Sequence, residues 1–143
     1  RGRCCRMTMA DALDAIVTQL RTAFGETPVE AFWRTEPPEA MTVYVTPRDE
    51  SAERGRTIGN VWQQEYGIDV IVETPWDNTV STGLAVLDAV ETVKALVHGN
   101  RDIGGAEVAR VGAIAYQFVG RGSQGRPTYS ARIPLMFTWS HSE

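Results

Sequence analysis

Tyr129-Ser-Ala-Arg-Ile-Pro-Leu-Met-Phe-Thr-Trp139 is the stretch that decides the fold class. Tyr129, Ala131, Ile133, Leu135, Phe137 and Trp139 fall on one parity, and Ser130, Arg132, Met136 and Thr138 on the other. A period of two with the apolar groups on one side is the pattern of a strand that packs a single face on a core. Pro134 removes one ladder donor, so this strand is expected either at a sheet edge or bulged at that point. Upstream, residues 108–119 form a second extended stretch, and Gly120-Arg-Gly-Ser-Gln-Gly125 between the two supplies turn residues. The two stretches predict a long hairpin. Two further runs alternate: Met41, Val43 and Val45 against Thr42, Tyr44 and Thr46, then Ile68, Val70 and Val72 against Asp69, Ile71 and Glu73. A shorter extended segment, residues 29–34, precedes them.

The remaining periodicity is helical. Leu13, Ile16, Val17, Leu20 and Phe24 recur at helix spacing, Thr8 and Asp11 have the spacing of a capping box, and Gly25 can close the helix. A second helix is expected over residues 79–98, with Val86, Val90, Val93 and Val97 on one stripe and Val80, Leu84 and Leu87 beside it. Its valines lower intrinsic propensity, so packing must hold it. The order helix, strands, helix, strands predicts one α+β domain: an antiparallel sheet of four to five strands with two helices packed on one face. Residues 1–7 are expected to be a disordered leader and 8–143 the domain.

Composition narrows the possible roles. At 143 residues the chain suits one domain with a substantial core, and 43% hydrophobic with 22% charged residues is the usual globular balance. The charge is −4; Arg1, Arg3 and Arg6 supply three of the fourteen basic groups, leaving eleven against eighteen acidic ones in the body. A strongly acidic body argues against duplex DNA binding, and no apolar run is long enough to span a bilayer. Cys4 and Cys5 are adjacent in the polar leader, and His98 and His141 stand apart in sequence, so no metal site is expected.

No catalytic constellation emerges. Gly120-Arg-Gly-Ser-Gln-Gly125 satisfies GxGxxG, but a dinucleotide site needs a helix to follow, and here Pro127 and an alternating strand follow instead. A flexible hairpin tip explains it. His98 fits the last turn of a helix as a favourable cation, and His141 lies near the chain end. Glu65, Asp69 and Glu73 share one face of a strand at a spacing of four and are expected to form a solvated row. Trp139 is in phase with the core, whereas Trp62 and Trp76 flank a strand and are candidate partner anchors. No cofactor and no catalysis are expected.

Residues 47–59 hold Arg48, Asp49, Glu50, Glu53, Arg54 and Arg56 with almost no apolar side chain, and are expected to be a long exposed loop that reaches a neighbour. Mixed charge suits a contact between protein subunits better than a nucleic acid. Arg121 and Arg126 at the hairpin tip complete the candidate interface.

The whole-chain pattern is similar to the tail terminator (tail completion) proteins of long-tailed phages. The likeness covers about residues 8–140 and is carried by the first helix, Met41-Thr-Val-Tyr-Val-Thr-Pro47, the charged loop, Gly67-Ile-Asp-Val-Ile-Val-Glu73, the second helix and the closing Arg132-Ile-Pro-Leu-Met-Phe-Thr-Trp139. It implies a structural virion protein with no catalytic motif, forming a six-membered ring that caps the tail tube and joins it to the head connector. The implied partners are further copies of the chain, the tail tube protein and a connector or stopper protein, with no membrane and no sequence-specific nucleic acid. Assembly in the host cytoplasm and residence in the virion follow from the same likeness. Two other classes fit the residues: another neck protein, such as a head-tail stopper, and a small cytosolic enzyme or ligand-binding domain.

Overall fold

Alternation and burial agree closely along the central strands of the computed structural model, which describes residues 8–54, 61–99, 106 and 108–142, with the side chains of 52–54, 61–63, 108 and 140–142 left out. The elements are α1 (Met9–Phe24), β1 (Val29–Ala31), β2 (Thr42–Arg54), β3 (Val61–Pro75), α2 (Val80–Gly99), β4 (Val108–Val111), β5 (Ala115–Arg121) and β6 (Arg126–Ser142). They make one α+β domain with a six-stranded mixed sheet. The strand order is β1-β2-β3-β6-β4, and β5 also pairs with β6.

Helix α1 begins as its sequence requires. The Thr8 side chain accepts from Asp11 N–H while the Asp11 carboxylate accepts from Thr8 N–H, closing the capping box. Gly25 ends the helix at φ 64°, a conformation that glycine adopts without steric cost. In α2 the predicted stripe is buried: Val86, Ala89, Val90, Val93 and Val97 face inward. The apolar residues beside that stripe stay in solvent, with Val80 76%, Leu84 52% and Leu87 40% exposed. Both helices pack on one sheet face, where Val43 and Val45 of β2, Ile68, Val70 and Val72 of β3, and Ala131, Ile133 and Leu135 of β6 form a single core with them.

Four expectations are corrected. The sheet is mixed rather than purely antiparallel, because β1 pairs with β2 in parallel, with Val29 opposite Val43. Among the described residues it has six strands rather than four or five. The expected loop is extended structure: β2 runs on to Arg54 and pairs with β3 as far as Trp62, after a register shift between Pro47 and Asp49. Charged residues on both faces hid the alternation that would have revealed this arm. The part of that loop at residues 55–60, Arg56 included, lies outside the described residues, as does the leader at residues 1–7. Finally, of the two alternatives for β6 the edge placement does not hold, since β3 lies on one side of it and β4 and β5 on the other, and the ladder is bulged at Pro134 instead.

Pro134 is accommodated by a break in its neighbours. Val111 pairs with Leu135 and Ala115 with Arg132, so residues 112–114 oppose only two residues of β6. That extra residue is a bulge, formed where Gly112 N–H donates to Pro134 O at 2.8 Å and the missing proline donor would have faced.

Gly67 of β3 is required by a close approach on the face away from the helices. A Cβ there would lie 2.2 Å from Asp49 Oδ1 and 2.3 Å from Arg48 Nη2. Both atoms end flexible side chains, so Gly67→Ala should leave the backbone in place and push the Arg48 guanidinium off Asp69. We expect a loss of about 1–2 kcal/mol, read from the urea midpoint. The same change in an Arg48→Ala background should cost clearly less, because the two substitutions remove one shared interaction.

Candidate functional site

On the sheet face away from the helices, Glu65, Asp69 and Glu73 recur every fourth residue of β3, and each meets an arginine. Glu65 and Arg110 are 3.8 Å apart at the exposed end. Asp69, 5% exposed, accepts from Arg48 Nη1 at 2.7 Å and from Arg132 Nη1 at 3.4 Å. Burial disfavours the Arg48 charge, but hydrogen bonding and attraction from Asp69 outweigh it and hold the guanidinium above its ordinary pKa. Glu73, 2% exposed, accepts Arg121 Nε and Nη2, both at 2.8 Å, and the Thr128 hydroxyl at 2.7 Å. The expected solvated row is therefore an ion-pair ladder, and its two inner carboxylates are buried.

A strap covers the Glu73 end. Residues 32–40 leave β1 and cross this face before β2 begins; a parallel pair such as β1–β2 needs a crossover of this kind. Phe32 takes φ 68°, marking the turn onto the face. Arg121 Nη1 donates to Arg34 O at 2.5 Å, and its guanidinium lies 3.8 Å from the centre of the Trp33 ring. Glu30 and Arg34 form an ion pair beside it. A cleft of about 240 Å³ remains between the strap and the sheet, lined by Trp33, Ile71, Glu73, Gln117, Val119, Arg121, Ser130 and Arg132. Of its charged groups, Glu73 and Arg121 satisfy one another and Arg132 is paired with Asp69. Tyr44, 2% exposed, lies under the same strap. Burial and the nearby Glu73 charge raise its phenol pKa.

The sequence-derived interface residues separate into groups. Arg121 is withdrawn from the surface: it was expected at an exposed tip and is 4% exposed on Glu73. Arg48 is bound to Asp69 and also touches Asp49 at 3.4 Å. Asp49 and Glu50 of β2 and Arg126 at the start of β6 are exposed. Glu53 and Arg54 lie on the β2 arm, paired through their backbones with Gln63 and Trp62, and Arg56 is outside the described residues. The GxGxxG stretch is the β5–β6 turn, with Gly122 at φ 76° and Gly125 at φ 61° and Gly125 N–H donating to Gly122 O. His98 is exposed on the last turn of α2. Among the described residues no group of three His, Cys, Asp or Glu could hold a metal ion, and no helix is long and apolar enough to cross a membrane.

Sequence reading missed the exposed apolar surface. Trp76 packs on Phe118 (ring centroids 5.0 Å apart) and Tyr129 (5.7 Å), and the ring edge of Trp76 faces Gly83 of α2. Tyr116 at 44% and Phe118 at 62% exposed extend this cluster along β5, past the edge of the helical layer. On the opposite side of the sheet Phe32 is 57% exposed. Alternation signals which residues share a face, but not that the helices stop short of β5.

The fold has a counterpart among solved structures. No family model and no curated protein matches the chain. Among solved structures it is similar to the sheath/tube terminator of PVC, an extracellular contractile injection system, seen by cryo-electron microscopy in the extended state: TM-score 0.51, 12% identity and 93% of this chain covered. The chain spans 57% of that terminator's length. It also aligns with a chain of the native gene transfer agent virion, at TM-score 0.42 and 16% identity, covering 92% of this chain and 100% of that one. The fold shared with that one terminator is consistent with the resemblance read from the sequence.

Arg121→Met should cost about 3–5 kcal/mol in urea unfolding, because Glu73 is left charged, buried and without its counter-ion. Adding Glu73→Leu should recover most of that loss. Tyr44 gives a pH signature. Its folded pKa is raised above the unfolded value, so its contribution is full below about pH 10 and is lost as pH rises through the folded pKa. Alkaline melting curves should therefore fall more steeply for the natural chain than for Tyr44→Phe.

Proposed function

We propose that the chain is a structural subunit of a phage-type tail terminator, assembling as a ring that caps the tail tube and joins it to the head connector. The observation that carries this reading is the fold shared with a sheath/tube terminator over 93% of the chain. The chain's own architecture fits the role. A rigid six-stranded sheet keeps its polar face tied by ion pairs, while the arm of β2 and β3 and the edge at β5 project outward. Work of this kind is done by assembly rather than by catalysis.

Within such a ring, Asp49, Glu50, Glu53, Arg54, Arg56 and Arg126 are the charged residues offered to neighbours, whereas Arg48 and Arg121 act inside the subunit. The partners are five further copies, the tail tube protein and a connector or stopper protein. An acidic body suits a conduit for DNA, since tight phosphate binding would impede passage. Assembly in the host cytoplasm and residence in the virion follow from the role.

Native mass spectrometry of the full chain, together with electron microscopy of mixtures with terminator-free tail tubes, tests this. A six-copy species that binds one end of the tubes is the expected result. A chain that stays monomeric at every concentration and ignores tube ends would overturn the reading. Binding to filled heads without tubes would assign it instead to the stopper position.

A further inference from the structure

Strand β5 turns an unpaired backbone edge outward. Among the described residues it pairs only with β6. The Thr128 hydroxyl donates to Val119 O at 3.3 Å, so Val119 directs its backbone groups toward β6 and, by alternation, Tyr116, Phe118 and Gly120 direct theirs away from it. Natural edge strands are guarded by lysine, proline or other charged groups. Residues 111–120 contain neither a charge nor a proline. The arginines at the two ends of this stretch are engaged within the subunit: Arg110 lies 3.8 Å from Glu65, and Arg121 is bound to Glu73.

An apolar flank of α2 continues the same surface. Val80, Gly83, Leu84 and Leu87 share one side of the helix at spacings of three and four, and the Glu91–Lys94 ion pair follows one turn later. A Cβ on Gly83 would lie 3.8 Å from the Trp76 ring, and Trp76 in turn packs on Phe118. The flank and the edge are therefore joined through Trp76. Tyr116, Phe118, Val80, Leu84 and Leu87 are between 40% and 76% exposed and form one patch on the order of 500 Å², the upper end of what a monomer leaves uncovered.

We infer that β5 pairs antiparallel with β5 of a second copy of this chain, across a two-fold axis normal to the sheet. An extended segment alone would satisfy the edge and leave the helix flank in water. A second copy brings a strand and an apolar helix flank together, and an axis normal to the sheet sets both helical layers on the same side. Tyr116 and Phe118 of the two copies then lie between the two α2 flanks. Such a contact is self-complementary, and the uncharged stretch 111–120 sets no like charges opposite one another. Both patches together bury on the order of 1,000 Å² before the paired backbones are counted, which reaches the range of a specific interface. A two-fold contact is complete with two copies, so it goes beyond the ring reading and describes the free chain, with its unguarded edge covered.

Sedimentation and cross-linking of the full chain carrying Cys4→Ser and Cys5→Ser test it. That parent should dimerise reversibly. Adding Gln117→Cys and treating with a bis-maleimide that reaches about 10 Å, enough for directly opposite or diagonal cross-strand neighbours, should give a covalent dimer. Tyr116→Lys in the edge and Leu84→Lys in the flank should each raise the dimer dissociation constant about tenfold or more, with the circular dichroism spectrum of the parent. Phe32→Lys at the other end of the sheet should leave the constant unchanged. A dimer that withstands both lysine substitutions, or that gives no Gln117→Cys link, would overturn the inference and leave the ring reading standing. A chain monomeric in solution yet recruited as rings to tube ends would do the same. A chain that dimerises as described but never binds tube ends would support the inference and count against the ring reading alone.

Discussion

Strands β3 and β6 pair without interruption from Val61–Ser142 to Pro75–Thr128, and the register of that ladder divides the molecule. Tyr66, Ile68, Val70 and Val72 of β3 meet Phe137, Leu135, Ile133 and Ala131 of β6 beneath the helices, whereas Glu65, Asp69 and Glu73 emerge on the other side. A slip of one residue would bury the carboxylates under α1 and α2 and expose the core residues, so the apolar parity and the ion-pair ladder enforce the same register. The other strands take their positions from this pair. Strand β2 adds to β3 through Val43 and Val45, and the β4–β5 edge adds to β6 with one extra residue opposite Pro134.

The face opposite the helices is closed by charge pairing rather than by a second apolar layer. Burying Glu73 without a partner would be prohibitive, and its two Arg121 contacts together with Thr128 satisfy both carboxylate oxygens. Arg121 is in turn capped by the Arg34 carbonyl and the Trp33 ring, which ties the strap to the β5–β6 hairpin. Two segments far apart in sequence thus hold each other through one guanidinium. The consequence is a sheet whose faces are both occupied, one by helices and one by the strap and its ion pairs, so large apolar exposure is left on the outer side of α2, at Trp33 and at Phe32, Tyr116 and Phe118 toward the ends of the strand order.

Much of this was legible in the sequence. The capping box of Thr8 and Asp11, the valine stripe of α2 and the alternation of residues 129–139 each rest on a period or a local hydrogen bond that a single chain segment specifies. What escaped reading needed partners from elsewhere in the chain. The β2 arm has charges on both faces and shows no period, although β3 still pairs with it. The parallel placement of β1 depends on where residues 32–40 travel, and neither propensity nor pattern encodes that path. Arg121 looked like a turn arginine because its partner Glu73 is 48 residues away. The resemblance to tail terminators was legible from element order, and it names no contact residue.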